Sequence, residues 1–120
     1  MMVEAIVPLL LIAHCLLDFP LQGDFLSKAK NHRAPIPGVP WQWGLFAHSC
    51  IQGGGVFGVV WFVTGSFNLA FLLGALEAGA HAGIDWHKSN GTFDFTTDQL
   101  AHLSCKSMWA TVVFVYAGMQ

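Results

Sequence analysis

The chain has 120 residues, enough for one domain (1–120) and too few to wrap a large apolar core in polar surface. It is 54% hydrophobic and 10% charged, against about 25% charged in soluble domains. The net charge of −2, with no basic run among stacking aromatics, gives no ground for a nucleic-acid partner.

No Asp, Glu, Lys or Arg lies between Arg33 and Glu77. That stretch is long enough for two membrane crossings of about 20 residues each. The composition predicts an integral membrane protein whose partner is the lipid bilayer. The Met-Met-Val-Glu start has no positive segment, which argues against a cleaved signal peptide.

The first expected span covers about residues 3–19, with a kink expected at Pro8 and a break at Pro20. His14 and Asp18 share a face near its end, and Gln22 joins that face if Pro20 only kinks the helix. Residues 23–40 form an interfacial loop. Its first part, with Phe25, Leu26 and Ala29 against Asp24, Lys28 and Lys30, suits a short amphipathic helix or a solvated loop equally. The Pro-rich 34–40 segment is a stiff linker, and Trp41 and Trp43 suit a membrane–water boundary.

The second span is about residues 43–63, with His48 and Gln52 on one face. Its Gly53-Gly54-Gly55 run and Gly58 allow either close helix packing or a flexible joint. After the uncharged turn 64–68 comes a third span, about residues 68–86. Ala75, Gly79 and Gly83 form a small-residue packing ridge there, and Glu77, His81 and Asp85 a polar stripe. Ser89-Asn90-Gly91 is a turn. The fourth span is about residues 97–117, opened by a capping box of Thr96 and Gln99 and striped by Asp98, His102 and Lys106.

The fold class expected is all-α: an up-down-up-down four-helix membrane bundle. Lys28, Lys30, Arg33 and Lys88 all lie in loops one and three. By the positive-inside rule those loops are cytoplasmic and both termini lie outside the inner membrane. His14, Asp18, His48, His81, Asp85, Asp98 and His102 then fall at one depth, near the cytoplasmic face. A weak parallel repeat runs through helices one and three. His14-Cys-Leu-Leu-Asp18-Phe19 and His81-Ala-Gly-Ile-Asp85-Trp86 both read His-x-x-[Leu/Ile]-Asp-aromatic.

Charged groups at membrane depth must be paired, hydrated or metal-bound. Three carboxylates among four imidazoles, with only Lys106 nearby in sequence, suit a divalent metal: zinc, or manganese or iron where more oxygen and water ligands join. Seven candidates exceed one tetrahedral shell, so the set implies two ions or outer partners that orient the ligands. The blander reading is a His–Asp polar core that fastens the helices, and a proton or ion relay is a third. Glu77, deeper in its helix, is a candidate general base or a buried protonated acid packed on Lys106. Asp98 also suits a first helical turn on dipole grounds alone. His32 and His87 read as interfacial residues, and Asp24 and Asp94 as solvated. The three cysteines, Cys15, Cys50 and Cys105, form no disulfide framework and read as small buried residues, with a weak ligand reading for Cys105 alone.

Three motifs carry a resemblance: H-C-L-L-D-F-P-L-Q-G-D-F at 14–25, H-A-G-I-D-W-H-K at 81–88 and D-Q-L-A-H at 98–102. Together with the lone His48 they resemble a family of small bacterial and phage integral membrane proteins of unknown function. The resemblance covers most of the chain. It implies a site of His14, Asp18, Gln22, His48, His81, Asp85, Asp98, Gln99 and His102, and no particular activity. A looser similarity links the chain to inner-membrane metal-dependent hydrolases, without their His-Arg and Thr-His-Ser signatures.

Metal-assisted hydrolysis at the membrane surface is therefore one expectation. The other is a non-enzymatic membrane protein: an ion, proton or metal carrier subunit, or a partner-binding module. Neither Gly-x-Ser-x-Gly nor His-Glu-x-x-His is present to separate them. A homo-oligomer is compatible with both.

Overall fold

A computed structural model describes residues 2–120. It is all-helical, with no strand among the described residues. A 3-10 turn at Val3–Ala5 leads into α1 (Ile6–Asp18); α2 (Gly23–Ala29), α3 (Trp41–Thr64), α4 (Phe67–Ser89) and α5 (Phe95–Gly118) follow.

Helices α3 and α4 are long and apolar enough to cross a membrane. At 1.5 Å per residue, a helix of 24 residues such as α3 spans about 36 Å, against about 30 Å for a hydrocarbon core. α5 has the length, with a less apolar sequence. α1 with the 3-10 turn before it qualifies only together with α2, and the pair is bent by 85°. The chain therefore breaks after α1, at the expected Pro20, and does not continue one helix line. Gln22 leaves the line of His14 and Asp18 and donates instead from Nε2 to the Asp18 carbonyl, 3.3 Å away, at the end of α1. α1 runs unbroken through Pro8. Pro8 lies in the first turn, where backbone N–H groups lack helical partners anyway.

The turns follow local chemistry. Gly65 (φ 70°) ends α3 in the left-handed region, and Ser66 caps α4 by accepting from the Leu69 amide at 3.3 Å. The cap of α5 is Asp94, two residues before the expected capping box. Its carboxylate accepts from the Thr97 amide at 2.7 Å, which holds its pKa below the ordinary value. A carboxylate at that position answers both the unpaired amide and the helix dipole. Gln99 is thereby released from any capping duty.

α1 packs on α3 and α5, and α4 packs on α3 and α5. At one end these helices share an apolar core that includes Ile6, Leu10, Val56, Val60, Leu73, Trp109 and Val113. At the other end the interior is polar. The outer surface is apolar, with Ile12, Phe46, Phe62, Phe71 and Val115 all exposed. Polar groups inside and large apolar ones outside reverse the order of a soluble domain.

The glycines of α3 allow close approach without breaking the helix. A Cβ on Gly53 would lie 2.5 Å from the Gly74 carbonyl oxygen of α4, and one on Gly55 2.4 Å from Leu17 of α1. Gly54 and Gly58 face open space. The expected ridge of Ala75, Gly79 and Gly83 is corrected: all three are exposed. The tight contact uses Gly74 and Ala78, each one residue earlier and about 100° around the helix. Cys15 and Cys50 are likewise exposed, each one residue past an inward polar side chain.

Candidate metal centre

Helical spacing of four carries the polar side chains inward. His14 and Asp18 come from α1, His48 and Gln52 from α3, Glu77, His81 and Asp85 from α4, and Asp98, His102 and Lys106 from α5. All are buried, and Asp18 is the most exposed at 9%. The structure thus brings the seven predicted ligands and Glu77 into one cluster.

Donor atoms of Asp18, His48 and His81 face one another, and Asp85 Oδ2 lies beside both imidazoles. His48 Nε2 is 3.0 Å from His81 Nε2, 3.1 Å from Asp18 Oδ1 and 3.7 Å from Asp85 Oδ2. His81 Nε2 is 3.8 Å from Asp18 Oδ1 and 3.7 Å from Asp85 Oδ2. Bonds of 2.0–2.1 Å in a tetrahedral shell give ligand–ligand edges of about 3.3–3.4 Å. These five edges bracket that value. Either one Nε2 carries a proton for the other, or both lone pairs point at a shared cation.

A second group adjoins the first. His102 Nε2 lies 3.7 Å from Asp85 Oδ1 and 3.6 Å from Asp98 Oδ1. Both His102 ring nitrogens and Asp98 Oδ1 are buried without a hydrogen-bond partner. Buried polar atoms left unpaired are costly, and a cation between them would satisfy His102 Nε2 and Asp98 Oδ1 together. Asp85 offers one oxygen to each group. The His81 and His102 rings stack at 4.0 Å between centroids. A third combination, Glu77 with His81 and His102, also has close donor atoms. His14 joins none of these sets. Its Nε2 pairs with Gln99 Oε1 at 3.3 Å, and its ring lies 5.4 Å from that of His102. Cys105 joins none either.

The cations were the least visible part in sequence. Lys30 Nζ donates to Asp85 Oδ2 at 2.8 Å, and Lys88 Nζ to Asp98 Oδ2 at 2.9 Å. Lys106 donates to Glu77, whose second oxygen accepts from Trp109 Nε1 at 2.6 Å. Each lysine neutralises one carboxylate and leaves Asp18 to His48, Gln52 and Gln99. The lysines thus supply charge that a metal would otherwise have to supply, while the His and Asp donor atoms still lie close enough to hold one. The expected contact of Glu77 with Lys106 is present, as an ion-paired carboxylate rather than a protonated acid. Both its oxygens hold donors, and Oε1 also lies 3.4 Å from His81 Nδ1.

Lys88 had a signal: it is seven residues after His81, on the same helical face. Lys30 had none, because only the fold of residues 23–40 returns it to α4. There His32 stacks on Trp86 at 3.7 Å between centroids and meets Asn90 Oδ1 at 3.0 Å, binding the first loop to the third. A cavity of about 440 Å³ opens onto the cluster from this side, lined in part by Lys30, Lys88, Asp85, Asp98 and Gln99.

Fold and site together define an all-helical protein with membrane-length helices around a buried His/Asp group that can hold a metal ion. The chain belongs to the family described as Protein of unknown function (DUF3307), which matches residues 6–119. No curated protein and no solved structure matches it.

Proposed function

We propose that the chain is a four-helix inner-membrane bundle that binds divalent metal, zinc first, near its cytoplasmic face and serves metal-assisted hydrolysis at the membrane surface. The observation that carries this reading is the set Asp18, His48 and His81, whose donor atoms stand at coordination-like edges inside a buried core with Asp85 Oδ2 beside both imidazoles. Asp85, Asp98 and His102 are the candidates for a second ion, and the other Asp85 oxygen lies 3.7 Å from His48 and His81. These residues would hold a divalent ion, which would lower the pKa of bound water and polarise a phosphoryl or acyl oxygen.

The other residues have supporting roles. Glu77 faces His81 Nδ1, which directs His81 Nε2 toward the site. Gln99 donates to both Asp18 and Asp98 at 3.1 Å and spaces the two groups. Where one ion binds, Asp98 Oδ1 is the buried acceptor free to take a proton; Glu77 is already occupied. The cavity supplies access from the cytoplasmic side.

The competing reading is a polar core without catalysis, and the three Lys–carboxylate pairs favour it. A carrier acting as a single chain is disfavoured, because the far end is packed with Ile6, Leu10, Val56, Val60 and Val113 and offers no polar path. A homo-oligomer has a face available in the outward stripe of Ala75, Gly79 and Gly83.

Metal content of the detergent-purified protein separates the readings. One or two zinc ions per chain are expected, and none in the His81→Ala/His102→Ala double variant. Unchanged metal in that variant would remove the site. Orientation is tested by labelling Ala34→Cys in a background with Cys15, Cys50 and Cys105 changed to Ser. Modification only after the inner membrane is opened is expected; labelling of intact spheroplasts would invert the topology.

A further inference from the structure

The cavity beside the metal centre has two cations on its wall, and both are occupied by would-be metal ligands. Lys30 Nζ sits on Asp85 Oδ2, the same oxygen that faces His48 and His81. Lys88 Nζ sits on Asp98 Oδ2. Counting Asp18, Asp85 and Asp98 against these two ammoniums, and leaving out the self-neutral Glu77–Lys106 pair, the wall carries −1 with neutral histidines. One divalent cation takes the sum to +1 and two take it to +3. An ion on Asp85 Oδ2 also stands against the Lys30 ammonium, and like charges at that distance repel. The loaded site therefore carries an uncompensated positive charge, and the open space beside it is the cavity.

We infer, on the metal-binding reading above, that loading the centre turns Lys30 and Lys88 from carboxylate partners into an anion clamp, and that the cavity then takes a phosphate group. The surroundings suit a tetrahedral oxyanion. Ser27, Asn31 and Ser89 line the same space and can donate hydrogen bonds to it. About 440 Å³ exceeds what a bare phosphate needs, and the exposed rings of Phe19 and Phe95 flank it, 6.5 Å apart in an edge contact between the ends of α1 and α5. That apolar border suits the glycerol and upper acyl region of a lipid phosphomonoester, while the clamp itself fits free phosphate equally.

The test is phosphate binding by the full chain in zwitterionic detergent, measured by calorimetry with inorganic phosphate and with micellar phosphatidic acid. Zinc-loaded and chelator-stripped protein are compared, and zinc content is read separately. Zinc-loaded protein is expected to bind phosphate at least about tenfold more tightly than stripped protein. Lys30→Gln and Lys88→Gln should each remove most of that gain with zinc content unchanged or higher, because a competitor for the carboxylates is gone. Lys88→Arg, which keeps the charge, should retain it. Phosphatidic acid binding more tightly than inorganic phosphate identifies a lipid headgroup as the source; equal or weaker binding identifies free phosphate. Zinc retained with no gain in phosphate affinity overturns the clamp and leaves the metal centre standing. No zinc in the parent overturns both.

Discussion

Asp85→Asn is expected to lose zinc by more than about 100-fold in affinity, because outer partners alone are worth about 10–100-fold. Asp85 is the one residue with an oxygen in each donor group: Oδ2 faces His48 and His81, and Oδ1 faces His102. The amide keeps the shape and removes the charge. It also leaves the Lys30 ammonium, 14% exposed, without its carboxylate. Breaking a buried pair on one side costs about 3–5 kcal/mol, less here because the cavity admits water to Lys30. A loss of stability alone would therefore not tell metal from fastening. The zinc dependence of stability does. A ligand present at about 1,000 times its Kd adds about 4 kcal/mol to the form that binds it. The parent's thermal midpoint in detergent should rise with added zinc and fall with chelator, and that of Asp85→Asn should respond by a third as much or less. A parent midpoint indifferent to zinc would make the cluster a polar fastening held by its lysines.

The polar cluster was legible because helical spacing is a strong signal and polar residues stand out in an apolar chain. His81 and Asp85, and Asp98 and His102, are four apart, and an alternating helix path brings such faces together at one end. What the sequence concealed depended on chain direction after a break. Pro20 is compatible with a kink or a stop, and the 85° bend decides for a stop. That bend sends residues 23–40 back over the cluster and delivers Lys30 to Asp85, a contact between residues 55 apart with no local pattern. The cap of α5 is ambiguous in sequence for a local reason. Asp94 and Thr96 both suit the position, and the choice of Asp94 frees Gln99 to face Asp18 and Asp98. Which small residues face a neighbour was equally hidden. Gly74 and Ala75 differ by one position and about 100°, and only the crossing with α3 distinguishes them.

That crossing is the second place where one substitution should have a large effect. Gly53→Val is expected to destabilise the protein by about 3 kcal/mol or more, at or above the upper end of ordinary overpacking. Its Cβ alone would lie 2.5 Å from the Gly74 carbonyl oxygen and 3.0 Å from the Ala78 side chain. The obstacle is the backbone of α4, which no rotamer change can move. α3 and α4 must separate, and His48 and His81 sit on these same two helices, seven residues or fewer from the crossing and 3.0 Å apart. The strain therefore reaches the candidate metal centre, and Gly53→Val should retain less zinc although it touches no donor atom. Gly54→Ala is the control. It adds a methyl in open space on the same helix and removes a glycine worth about 0.5–1 kcal/mol against Ala in a helix interior. Thermal unfolding in detergent should show Gly54→Ala at or above the parent and Gly53→Val well below it. Equal midpoints for the two variants would mean that α3 and α4 do not meet at Gly53 and Gly74, and the spacing of His48 and His81 would have to be set elsewhere.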